Sequence, residues 1–192
     1  MRANLRLLLI AMVALGAAPS VYGENAAQAR PRPRVSQRMQ ENLIREVRHE
    51  LVMLPQLSIF DNLAYKVQGD SVTLLGQVHN ATLKDDAERV VKKIEGVERV
   101  DNRIEILPAS FNDDRIRRET ARAIFNDSRL FPYAIQSLPP IRIIVKNGHV
   151  SLEGTVRNQG DKDTAGIIAN GVPGVFSVKN NLQVERAEIG KK

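Results

Sequence analysis

Residues suited to catalysis or metal binding are sparse in this chain and poorly spaced. It has no cysteine and three histidines, His49, His79 and His149. None of the three has another histidine two or four residues further along, so no helix or strand presents a histidine pair, and thiolate sites are excluded outright. Neither the nucleophile elbow Gly-x-Ser-x-Gly nor a phosphate-cradling P-loop occurs. Asp85, Asp86 and Glu88 cluster on the outer side of a predicted helix, where carboxylates are solvated. The expectation is a non-enzymatic protein with no catalytic residue, no metal, no cofactor and no small-molecule substrate.

A non-covalent chemistry is suggested further along. Arg115, Arg118, Arg122 and Phe125 recur at steps of three, four and three residues, which places them on one face of an α-helix. Ile116, Thr120 and Ile124 take the opposite face. Phe111, Phe131 and Tyr133 crowd the same stretch of a chain that is only 4% aromatic, and Arg129 adds a cation. Guanidinium groups beside aromatic rings on a helix surface suit an anionic membrane interface. The competing reading is packing, with Phe125 and Phe131 against the rest of the protein and the arginines as a solvated face. At about 1 kcal/mol per basic residue near an anionic surface, three or four arginines supply roughly 3–4 kcal/mol, a millimolar dissociation constant or weaker. Inserted aromatics or a second basic segment must add to that. One such segment is "RPRPR" (30–34), kept extended by its alternating prolines.

The elements that position these residues come in two copies. At an offset of 78, Val72, Leu74, Gly76 and Val78 fall on Val150, Leu152, Gly154 and Val156. Gly96, Val97, Val100 and Asn102 fall likewise on Gly174, Val175, Val178 and Asn180. Such a shared register marks a tandem duplication. Each copy opens on a helical pattern, with Leu43, Val47 and Leu51 in the first and the Ile116 face in the second. Asp113 or Asp114 is the expected N-cap of the latter. These helices match at an offset of 73, so the second copy carries five extra residues after its first helix. Two alternating strands follow, joined by turns at Gly69-Asp70 and Asn147-Gly148. Then come a helix and a last strand.

The fold expected is α+β: two tandem α-β-β-α-β modules, each a three-stranded mixed sheet covered on one face by two helices. The expected boundaries are 41–107 and 112–186, after a signal peptide (1–23) and a Pro/Arg-rich linker (24–40), with a basic tail (187–192). Gly76 and Gly154 are expected to admit a helix backbone or to form a bulge. Gly96 and Gly174 are expected as left-handed helix caps. "GVPG" (171–174) has the Gly-x-x-Gly spacing that clamps nucleic-acid backbones, but the first copy reads "KIEG" there, and turn chemistry explains it. No nucleic-acid partner is expected.

Lys and Arg number 28 against 22 Asp and Glu, a mildly basic balance. The first 23 residues join two arginines to an apolar run that is short for a bilayer span, as in a secretory signal. Without cysteine there is neither a disulfide nor an acylation site, so a periplasmic protein that is not a lipoprotein is the expectation. Two copies bearing "V-x-L-x-G-x-V" and then "G-V-x-x-V-x-N-x-[IL]" resemble the BON family. That resemblance implies non-enzymatic modules of the cell envelope, linked to outer-membrane integrity and osmotic stress, that bind phospholipid surfaces or envelope proteins. The reading for this chain is an anionic phospholipid surface contacted by Arg115, Arg118, Arg122, Phe125, Phe111 and Phe131. The alternative is an adaptor docking onto an envelope protein.

Overall fold

The computed structural model describes residues 37–185. The expected signal peptide, the RPRPR segment and the basic tail lie outside the described residues. The first copy runs α1 (Gln37–Val52), β1 (Asn62–Gln68), β2 (Ser71–Val78), α2 (Ala81–Val91), β3 (Arg99–Asn102) and β4 (Glu105–Ile106). The second runs α3 (Phe111–Asn126), α4 (Phe131–Ala134), β5 (Ile141–Lys146), β6 (His149–Val156), α5 (Gln159–Asn170), β7 (Ser177–Asn180) and β8 (Gln183–Val184). In each sheet the hairpin is antiparallel, and the last strand joins the middle one in parallel. The architecture is the mixed α+β module, twice, with the third strand split in two.

Helical spacing puts Leu43, Val47 and Leu51 of α1 in the first core, and Ile116, Thr120 and Ile124 of α3 at 0% exposure in the second. Helix α1 begins at Gln37, inside the stretch expected as linker. The N-cap of α3 is Ser110, whose Oγ accepts from Asp113 N at 3.2 Å; neither aspartate caps it. Asp113 is instead buried and accepts from Asn147 N and Gly148 N, both at 2.8 Å. Both turn residues have positive φ, 54° and 76°, as a two-residue hairpin of this hand requires. Their N–H groups point at α3, and a carboxylate there fastens the helix start to the hairpin.

Gly76 and Gly154 lie on the core-facing side of β2 and β6, each with φ of 109°. What approaches is a carbonyl at the start of the neighbouring strand and not a helix, and the pairing register shows no bulge. A Cβ at Gly76 would stand 1.9 Å from Asn62 O, and one at Gly154 1.8 Å from Pro140 O. Gly96 and Gly174 do have positive φ, yet they fall past the helix ends, where Lys92 and Gly171 are the caps. The chain leaves each helix through successive tight turns before the glycine is needed.

Asn102 and Asn180 have one job in both copies. Asn102 Nδ2 donates to Lys84 O at 3.0 Å and Asn180 Nδ2 to Lys162 O at 2.7 Å, tying the last strand to the second helix. Their Oδ1 atoms accept from Ile104 N and Leu182 N across the strand break. The break turns Ile104 and Leu182 into the cores and lets β4 and β8 re-pair with β2 and β6. The copies differ in one partner. Glu88 also accepts from Asn102, and the hydrogen bonds from Lys92 and Asn102 hold its carboxyl below the usual range. In the second copy that position is Gly166, and a Cβ there would meet Asn180 Nδ2 at 2.7 Å.

The backbone N–H that ends the middle strand is met differently in each copy. His79 N donates to Asp61 at 2.7 Å, whereas Arg157 N donates to Tyr133 Oη at 2.8 Å. Tyr133 comes from α4, within the five-residue insertion, and its hydroxyl donates to buried Asp161 at 2.5 Å. Leu130 and Tyr133 complete the second core, and Phe60 reaches into it from the first copy. Ile143 N donates to Ile59 O at 2.8 Å, Arg142 Nη1 to Ser58 O at 3.0 Å, and Lys146 pairs with Glu105 across the same junction.

Two outcomes are expected. Asn102→Ala and Asn180→Ala each cost about 1–3 kcal/mol in urea unfolding, because a helix carbonyl and a strand N–H lose their partner together; a cost near zero would remove the asparagine from its bridging role. Burial, reinforced by the bond to Asp161, pushes the Tyr133 phenol up against the pull of the Arg157 N–H. A raised folded value contributes stability that is full below about pH 10 and is lost as pH climbs through the folded value. Tyr133→Phe should therefore lower stability at neutral pH by about 1–3 kcal/mol and flatten the alkaline fall.

Candidate functional site

Helix α3 presents its outward face as its spacing requires, but not every expected residue is available on it. Arg118 and Arg122 are exposed. Neither makes a hydrogen bond or an ion pair to another of the described residues. Arg115 is tied down: its guanidinium donates to Glu119 at 2.7 Å, to Asn112 at 3.0 Å and to Pro173 O at 3.2 Å. Gly174 makes room for it, since a Cβ there would lie 2.6 Å from Arg115 Nη2. That turn therefore serves the helix beside it.

The aromatics divide in the same way. Phe111 opens α3 and is 97% exposed. Phe131 opens α4 and is half exposed. Phe125, expected on the outward stripe, packs instead against the second core. The chain doubles back after α3 so that α4 contacts it, and this encloses the last turn of the helix.

Two residues missed in the sequence reading matter here. Arg117 is 1% exposed, donates to Val145 O at 2.6 Å and pairs with Asp114, bolting α3 to β5 while its Nε stays unpartnered. Its signal was position: it stands seven residues before Ile124, on the inward face. Phe176 is 73% exposed; its ring lies against Gly148 and meets His149 edge-on at 6.0 Å. Its backbone N–H donates to Gly148 O at 2.9 Å, and Asp113 holds the same turn to the start of α3. The hairpin tip, the first turn of α3 and the loop carrying Phe176 thus form one end of the repeat.

A shallow cleft between α3 and α5 adjoins this end, lined by Arg115, Glu119, Ala123, Ile167 and Pro173. Ile167 is 74% exposed. The repeat thus exposes the free guanidinium groups of Arg118 and Arg122 on α3 and the apolar side chains of Phe111, Ile167 and Phe176, and the cleft holds no nucleophile with a base. Among the described residues, no cluster of His, Asp and Glu could hold a metal ion, and no helix is long and apolar enough to cross a membrane.

Comparison with known proteins agrees with the duplication. The chain is 30% identical over 125 residues to the Osmotically-inducible protein Y of Escherichia coli, an alignment covering 65% of this chain and 62% of that one. It is 31% identical over 107 residues to the Outer membrane lipoprotein DolP of Haemophilus influenzae, covering 56% and 54%. The chain thus spans less than two thirds of the length of either relative. Among solved structures, the C-terminal domain of CdsD, the structural protein of the Type III secretion system of Chlamydia trachomatis, aligns over 77% of this chain and 99% of that one. At 14% identity and a TM-score of 0.27, that superposition carries no argument. The model of the BON domain matches residues 40–108 and again 112–186. The chain belongs to the BON domain family, and it carries the domain twice.

Proposed function

We propose that this chain works in the bacterial envelope, in the periplasm after removal of a signal peptide, as a non-enzymatic protein that binds anionic phospholipid surfaces through its second repeat. In that role it supports envelope integrity or tolerance of osmotic stress, in keeping with the names of its relatives, one osmotically inducible and one an outer-membrane lipoprotein. The observation that carries the reading is how the two copies differ. Phe111, Ile167 and Phe176, all largely exposed, stand where the first copy has Arg38, Arg89 and Glu98 at the same offsets. Three positions that are charged in the first copy are apolar on the outside of the repeat that carries Arg118 and Arg122. Exposed apolar groups and free cations on one repeat suit a surface with an anionic head layer and an apolar interior.

Magnitudes favour reversible binding. Two arginines near the surface contribute about 2 kcal/mol. Two phenylalanine rings taken out of water add roughly 3–6 kcal/mol. The sum corresponds to a dissociation constant between about 0.2 mM and 1 μM. Charge alone is too weak, and the rings supply the larger share.

The expected result in co-sedimentation is binding to phosphatidylglycerol vesicles, little binding to phosphatidylcholine vesicles, and weakening as salt rises. Arg118→Glu/Arg122→Glu should reduce binding at least tenfold, and Phe176→Ser should reduce it without changing the salt dependence. Adsorption indifferent to salt and to the charge reversal would overturn this mechanism. Folded protein that ignores both vesicle types would point to an envelope protein docking on the same apolar residues.

A further inference from the structure

An open cavity lies beside the core of the first copy, where the second copy meets it. Its volume is about 320 Å³, and Arg48, Leu51, Val52 and Leu57 line one side of it, with Leu63 and Tyr65 of β1 opposite. At the offset of 73 the first four correspond to Ala121, Ile124, Phe125 and Leu130, and at 78 the last two correspond to Ile141 and Ile143. All six of those counterparts belong to, or pack against, the second core. In the first copy only Leu51, Leu57, Leu63 and Tyr65 of the six do so, while Arg48 and Val52 stand at the open side of the cavity.

The hollow is polarised. Arg142 reaches into it from the second copy, and its one hydrogen bond among the described residues goes to a carbonyl, Ser58 O. Among the described residues, no carboxylate stands within ion-pair distance of it. Burial pushes its guanidinium below the ordinary value, partly offset by Asp61. Asp61 also lines the cavity, but Ser58 N, Ser58 Oγ and His79 N already occupy its two oxygens. With Arg48 the wall carries two cations to one carboxylate, and leucines cover the rest.

We propose that this cavity binds a single-chain amphiphilic anion, its carboxylate or phosphate between Arg142 and Arg48 and its hydrocarbon against Leu51, Leu57 and Leu63. The volume sits at the low end of the range of about 300–1,000 Å³ for ligand pockets. It accommodates a head and the first part of a chain, and the remainder leaves past Val52, which is 45% exposed at the cavity wall. The occupant would touch both repeats where the 58–61 loop meets β5, so binding would stiffen their junction. None of this depends on membrane contact through α3.

The test is calorimetric titration of the mature chain with dodecanoate and, separately, with lysophosphatidylglycerol, each below its critical micelle concentration. Expected is one site per chain, no heat from the neutral dodecyl maltoside, and at least tenfold weaker binding in Arg142→Gln and in Val52→Glu. The second variant alters an exposed wall residue, so it reads the site even if the first disturbs the junction. Binding of dodecanoate alone assigns a free fatty acid, and of the lysolipid alone a phosphate head. Arg118→Glu/Arg122→Glu should bind like wild type, which separates this site from the proposed membrane surface. Absence of one-to-one binding by either anion, equal binding of the maltoside, or binding that survives both cavity variants would overturn the proposal.

Discussion

Asn102 and Asn180 each hold a helix carbonyl and a strand break in one side chain, and most of the repeat hangs on that bridge. The break shortens β3 and β7, turns Ile104 and Leu182 inward, and lets β4 and β8 return to the middle strand. The second helix is thereby set at a fixed height over the sheet. The middle strand is held on its other side by the close approach that only Gly76 and Gly154 permit. A change at either point would shift helix and sheet together, which explains why both features recur while the surfaces around them differ.

With the frame set, the copies have diverged in opposite directions. The second has used its insertion to add Tyr133 to its core, at 2% exposure, meeting Arg157 N with a phenol. Asp113 and Arg117 then fasten α3 to the hairpin and to β5. The outer surface of the same copy has become apolar at Phe111, Ile167 and Phe176. The first copy keeps charge at those three positions and has an open cavity beside its core. A rigid base under α3 and the hairpin tip is what shallow insertion of aromatic side chains needs, since flexing would otherwise accompany every contact.

The sequence made the frame legible because its signals are local and repeated. Helix faces follow from spacing, turns from Gly69-Asp70 and Asn147-Gly148, and the duplication from one shared register. What it concealed depends on contacts between distant segments. Asp113 reads as a helix cap until the hairpin is seen to bring two N–H groups to it. Arg115 and Phe125 share a helical face with Arg118 and Arg122, yet the turn at Pro173 captures one and α4 helps enclose the other. Gly76 announces close approach without saying that the neighbour is a strand carbonyl. Phe176, by contrast, was open to inspection: aligning the copies shows a phenylalanine opposite Glu98, and exposure alone remained to be learned.

The proposal that the apolar end of the second repeat is the membrane-facing surface is tested most directly by residue-resolved NMR of the labelled chain with phosphatidylglycerol bicelles. Amide shifts should move at Phe111, Arg118, Arg122 and Phe176, and stay still at the first-copy counterparts Arg38, Arg45, His49 and Glu98. Shifts of equal size in both copies, or confined to the free edge of β1, would contradict it.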